Sequence, residues 1–263
     1  MKLALVRGAG DVATGVALRL RKEGYAVVCT ELLRPTCLRR AVSFAEAVYE
    51  GTWQVEGVEA RLARGPEEAL RLVEREKVAV LAPEGNALAQ LSPKVLVDAR
   101  MAKRNLGTHI DEAPVVIGLG PGFVAGVDCH AAIETLNGPD LGRVYLSGSP
   151  IPPTHEPCEI GGLSQGRVVR APCAGVFYGF GRIGELVEAG EPIARCGKEP
   201  LFAPCSGVVR GIVRGGIEVR PGMKVVELDP RGDPAIPFRV APRAERIASG
   251  VASALQLIPL GAP

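Results

Sequence analysis

Leu3-Ala4-Leu5-Val6-Arg7-Gly8-Ala9-Gly10-Asp11-Val12-Ala13-Thr14 is the segment on which the fold turns. Four residues of a buried-strand pattern run straight into two glycines. A helical period then follows through Val12, Val16 and Leu20, with Gly24 as its stop. A second apolar run, Ala26-Val27-Val28-Cys29-Thr30, ends in Glu31, 21 residues after Gly10.

That order of strand, G-x-G-x-x-A loop, helix, strand and acid is the layout of a Rossmann-like dinucleotide fold. Each residue has a physical task in it. Gly8 makes the tight turn, Gly10 admits a pyrophosphate to the backbone, and Ala13 lets the helix pack close to the strand. Amides in the first turn face the phosphates. Asp11 and Thr14 lie in that turn, and Asp11 serves either the site or as a helix cap. Glu31 stands near the spacing at which an acid reaches a ribose hydroxyl. Arg34, just beyond it, is a candidate for a 2′-phosphate or a solvated surface charge.

The alternation continues outward. Val55–Leu62 reads as a hairpin around Gly57, and Glu67–Glu76 as a helix opened by Pro66. Val78–Leu81 and Val95–Asp98 are further buried strands, the latter placing Asp98 on the edge where such sheets collect ligands. Arg100, Lys103 and Arg104 would share one face if helical, an anion site or a solvated surface. Val115-Val116-Ile117 leads into Gly118-Leu119-Gly120-Pro121-Gly122, a second glycine loop that could line the crevice opposite the first.

The second half hides a duplication. Ala171-Pro-Cys-Ala-Gly175 recurs as Ala203-Pro-Cys-Ser-Gly207, and the offset of 32 persists without a gap. Ten of the 26 positions from Ala171 to Cys196 are identical to their counterparts, which predicts two interlocked β halves about a pseudo-twofold. The pattern resembles the biotinyl/lipoyl barrel-sandwich hybrid. In carrier domains of that type the modified lysine sits at the hairpin between the halves, here Lys198. Its usual flanking residues are missing, so neither biotin nor lipoate is expected. Cys173 and Cys205 are repeat mates that could approach each other, as buried apolar residues or as a redox or metal pair. His155 and Cys158, with Glu156 and Glu159, could form a metal set. No second cluster has suitable spacing, so no metal is expected.

Composition limits the functions. The chain has 263 residues, with 31 basic against 29 acidic for a net charge of +2, and aromatics are 4%. Neither a polyelectrolyte field nor a stacking platform for nucleic acid is present. No apolar run is long enough for a membrane span. Seven cysteines without a C-x-x-C pair fit a reduced, cytoplasmic setting. Glycine and proline together supply 33 and 22 residues, yet the chain is 47% hydrophobic and should fold. Three parts are expected: a Rossmann-like doubly wound, mostly parallel domain over 1–150, a duplicated small all-β barrel-sandwich domain over 160–230, and a tail over 231–263 with a docking helix.

Taken together, Val6–Gly15, Ser43–Gly51, Ala102–Thr108, Ile117–Phe123, Glu159–Gly162 and the duplicated module resemble the YqeB-type proteins of selenium-dependent molybdenum hydroxylase systems. These are related to the accessory factors that mature xanthine and carbon monoxide dehydrogenases. Asn137-Gly138-Pro139-Asp140 departs from that pattern. The resemblance implies a maturation factor that handles the molybdenum cofactor or its sulfuration for a molybdenum hydroxylase apoenzyme. The bound small molecule would be NAD(P) or a molybdopterin dinucleotide, since both carry a pyrophosphate and a ribose. A homo-oligomer is compatible with this reading, and no nucleophile–base pair stands out. The alternative is an NAD(P)-dependent oxidoreductase acting on a small molecule.

Overall fold

The structure, a computed structural model, describes residues 1–153 and 159–258. By internal contacts the chain divides into two units. The first comprises residues 1–35, 43–154 and 240–263; the second joins Thr36–Val42 to residues 155–239.

The first unit is built on a nine-stranded sheet. Its elements in chain order are β1 (Leu3–Arg7), α1 (Asp11–Lys22), β2 (Ala26–Thr30), α2 (Ala47–Glu50), β3 (Thr52–Val55), β4 (Val58–Ala63), α3 (Pro66–Glu74), β5 (Val78–Leu81), α4 (Ala87–Leu91), β6 (Val95–Asp98), β7 (Val115–Leu119), β8 (Ala131–Ile133) and β9 (Val144–Tyr145). The C-terminal helix α5 (Pro242–Leu257) also belongs to it. The sheet order is β3-β4-β5-β2-β1-β6-β7-β8-β9. Seven strands from β4 to β8 run parallel, and antiparallel β3 and β9 close the two edges.

The sequence explains this arrangement. β1, β5, β6 and β7 are buried along their whole length, as strands covered on both faces must be. Leu3, Leu5, Val28, Leu96 and Val116 join Ala69, Leu72 and Val73 of α3 and Leu91 of α4 in one apolar layer. On the alternate side chains Ala4, Val6, Val27 and Val97 are equally buried. Helices α1 and α5 pack against each other, and Gly15 makes the crossing close: a Cβ there would stand 3.1 Å from Ala244 Cβ. The hairpin expected around Gly57 is present, with Glu56 and Gly57 both at positive φ. The expected doubly wound, mostly parallel fold is what forms.

The second unit contains β10 (Val168–Arg170), β11 (Gly175–Gly179), β12 (Leu186–Val187), β13 (Pro192–Cys196), β14 (Glu199–Phe202), β15 (Gly207–Ile212), β16 (Glu218–Val219) and β17 (Lys224–Asp229). Its two four-stranded antiparallel sheets have orders β10-β17-β15-β12 and β14-β13-β11-β16. Advancing every strand of the first half by one repeat, and returning those of the second half, turns one order into the other. Each sheet therefore mixes strands from both halves, and neither half can form its sheets alone. The glycine conformations repeat with the sequence. φ is +91° at Gly184 and +83° at Gly216, then +83° at Gly190 and +79° at Gly222. These are turns that only glycine enters without strain. Segment 36–42 lies against this unit, with the Ile212 amide donating to the Leu38 carbonyl at 2.9 Å.

Candidate functional site

In a parallel sheet of this order the chain leaves β1 toward β2 on one side and reaches β6 on the other. Ligands of such folds gather at the carboxyl ends of those strands. Arg7, the last residue of β1, is in register with Thr30 of β2 and with Asp98 of β6. The strand ends thus carry a polar row, with Arg7 and Asp98 charged, at the point where the strand order reverses.

Arg7 organises it. Its buried guanidinium donates through Nε and Nη2 to the Glu84 carboxylate, the closest contact at 2.9 Å. It also reaches Glu112 at 2.7 and 2.8 Å, and Thr108 Oγ1 at 2.6 Å. Thr30 donates to Glu84 at 2.9 Å, and Thr108 donates to Asp98 at 2.7 Å. Burial opposes charge on both Arg7 and Glu112, but their mutual hydrogen bonds prevail. The guanidinium is raised, and the Glu112 carboxyl is held below its usual range with help from the His109 amide.

The expected site residues divide between this crevice and the packing around it. Gly8, at φ +101°, lies against the chain leaving β6: a Cβ would stand 3.1 Å from the Ala99 carbonyl oxygen. Gly10 is the N-cap of α1 and supplies no side-chain cap, while Asp11 occupies the first turn. Ala13 is buried, as helix–strand packing requires. Thr14 is fully buried: its hydroxyl donates to the Ala9 carbonyl at 3.2 Å and accepts from the Phe44 amide at 2.9 Å. It braces the glycine loop from within. Glu31 folds back onto the loop, where its carboxylate accepts the Ala9 amide at 2.9 Å and the Leu32 amide at 2.8 Å. Arg34 is exposed. Asp98 is buried and paired with Arg100.

Two expectations change in the structure. Residues 100–109 do not form a helix, so Arg100, Lys103 and Arg104 share no helical face. The segment is a loop in which Met101 and Lys103 take positive φ, and Arg100 turns inward to Asp98 and Thr108 while Lys103 and Arg104 stay exposed. Cys173 also does not meet its repeat mate Cys205 but Cys196, with the sulfurs 3.5 Å apart.

The second glycine loop is shaped by the protein's own packing. Gly118 makes room for the Phe123 ring, Gly120 for Thr135 Oγ1, and Gly122 for the Arg104 backbone. Gly122 combines a φ of +99° with that backbone approach. Gly122→Ala is therefore expected to cost about 2 kcal/mol, from left-handed strain and overpacking together. Urea unfolding followed by the fluorescence of Trp53, the chain's single tryptophan, measures it. A loss under half that size would mean the loop simply moves aside.

Reading the sequence missed Arg7, Glu84, Thr108 and Glu112. The available signal was an arginine ending an otherwise apolar strand directly before the glycine loop. Its partners come from two distant connections, β5–α4 and β6–β7, and carried none. Among the described residues no cluster of His, Cys, Asp and Glu could hold a metal ion. Of the four residues that could form a metal set, His155, Glu156 and Cys158 lie outside the described residues. No helix among the described residues is long and apolar enough to cross a membrane.

Fold and site define an α/β unit of dinucleotide-fold topology, charged at its strand-order switch, joined to a duplicated antiparallel β unit. The chain is 45% identical over 258 residues to Escherichia coli K12 YqeB, a protein described as uncharacterized. The alignment takes in 98% of this chain and 48% of that protein, so the chain spans about half the length of the curated relative it matches. No protein-family model matches the chain. Among solved structures, a succinylglutamate desuccinylase from a Silicibacter species aligns over 86% of this chain and 84% of its own. At 13% identity and a TM-score of 0.26, that alignment carries no argument.

Proposed function

We propose that the chain is a nucleotide-binding accessory factor that serves the maturation of a molybdenum hydroxylase. The observation that carries the nucleotide part is the glycine loop leading into α1 at the strand-order switch, where Gly10 leaves the helix start without a side-chain cap. A pyrophosphate, from NAD(P) or a molybdopterin dinucleotide, suits that start. Glu31 then has two parts to play. It closes the loop by accepting the Ala9 amide, and a ribose hydroxyl would compete for the same carboxylate. The maturation part rests on the resemblance to YqeB-type proteins. The similarity to YqeB supports the kinship and is silent on activity.

Thermal-shift titration with NAD, NADP, CTP and molybdopterin derivatives tests it, with native mass spectrometry for a co-purifying ligand. The expected result is stabilisation by at least one of them, worth about 2.7 kcal/mol at a hundredfold excess over Kd. A molybdenum hydroxylase apoenzyme should be recovered on the tagged protein. No shift with any nucleotide, together with no such partner, would overturn the proposal. Steady NAD(P)H consumption with a small substrate would instead establish the oxidoreductase alternative, for which Glu31, directly after β2, speaks.

A further inference from the structure

The structure assigns a redox-modification site to the β unit: Cys173 and Cys196 form a dithiol poised to close into a disulfide. Cys196 ends β13 and is fully buried, while Cys173 lies in the turn before β11 and is half-buried. Their sulfurs stand 3.5 Å apart. The Cys196 thiol donates to the Cys173 carbonyl at 3.2 Å, and the Cys173 thiol lies 3.7 Å from the Cys196 carbonyl. The main chains approach closely here. A Cβ on Gly175 would stand 3.2 Å from the Gly197 nitrogen and 3.7 Å from Cys196 Sγ. A disulfide bond is about 2.05 Å long, so the sulfurs must close roughly 1.5 Å, within reach of side-chain rotation.

The duplication supplies an internal control. Thirty-two residues on, Cys173 becomes Cys205 and Cys196 becomes Leu228, which is fully buried. The fold therefore fills the Cys196 position with an aliphatic side chain in its other half. Packing alone does not call for a second sulfur at Cys196.

The oxidant of the step is a peroxide, which reaches the half-buried Cys173 from solvent. The Cys173 sulfur attacks a peroxide oxygen; an S–O bond forms, the O–O bond breaks, and the thiol proton leaves with the departing hydroxide as water. The Cys196 sulfur then attacks the sulfenic sulfur, forming S–S and breaking S–O, and its proton leaves with the hydroxyl as a second water. The dithiol loses two electrons and two protons, and the peroxide is reduced to two waters. The product ties the entry of β11 to the end of β13.

The test treats the folded protein with hydrogen peroxide, alkylates the remaining thiols, and maps tryptic peptides. Cleavage after Arg170, Arg182, Arg195 and Lys198 places the two cysteines in peptides 171–182 and 196–198, and Cys205 in 199–210. The expected product is the crosslinked pair 171–182/196–198, two hydrogens lighter than its parts and released by a dithiol reductant. Cys196→Leu, which copies the other repeat, should fold, give no crosslink, and leave Cys173 to proceed to sulfinic acid. Alkylatable Cys196 beside an over-oxidised Cys173 in the unmodified chain would overturn the assignment. So would unchanged thiols, or a crosslink to the Cys205 peptide.

Discussion

Replacing Glu227 with glutamine is expected to destabilise the β unit by about 3 kcal/mol, as removing one member of a largely buried ion pair does when the carboxylate keeps some solvent contact. Glu227 on β17 accepts from Arg167 at 2.8 Å and from Arg210 at 2.5 Å, and Arg39 adds a further positive charge nearby. All three arginines are buried. Glutamine keeps the shape but leaves the Arg167 and Arg210 guanidiniums without that carboxylate. Amide hydrogen exchange in β15 and β17 reads the loss directly. Adding Arg210→Leu removes one stranded charge and should restore about half of it. Unchanged protection in the single variant would show that water already solvates the cluster.

The same carboxylate sets an acid limit. Burial works to raise Glu227, but Arg210 and Arg167 outweigh it; Asp229 is likewise held down by Arg231 against its burial. A carboxyl depressed in the folded state contributes stability above its unfolded value, about 4 for these groups, and loses it as pH falls through the folded value. The urea midpoint of the native chain should therefore drop below about pH 4, and Glu227→Gln should flatten that limb.

Arg7→Met is expected to cost about 3 kcal/mol, discounted because Glu84 and Glu112 keep some solvent contact. Methionine fills much of the stem's volume but leaves the two carboxylates without the cation between them. The pH dependence should also reverse. In the native chain Glu112 sits below its usual range, so its contribution appears as pH rises. Without Arg7, burial prevails and lifts the carboxyl, so the variant should be relatively more stable near pH 5 than at 7.5. Urea unfolding by Trp53 fluorescence at the two pH values checks both sign and size. An equal loss at both would show that the arginine acts through packing alone.

Much of the architecture was legible because it is local and periodic. Runs such as Val78–Leu81 and Val95–Asp98 are too apolar and too short for anything but covered strands. Gly8 and Gly10 mark the turn into α1, and the 32-residue offset announces two interlocked sheets. The candidate site was legible only in its glycine frame. The spacing of Arg100, Lys103 and Arg104 suits a helical face, but the loop's left-handed residues and the pull of Asp98 on Arg100 decide their placement.

The sequence by itself determined the two kinds of unit, the mostly parallel character of the first and the duplication in the second, since hydrophobic period, glycine turns and repetition are written along the chain. Only the tertiary structure decided what those frames hold. It brought Glu84, Thr108 and Glu112 onto Arg7, turned Glu31 onto the loop amide, and set Cys173 beside Cys196. Those choices depend on charge satisfaction and close approach between residues 22 to 105 positions apart. No local pattern encodes such distances; only the packed chain brings the groups together.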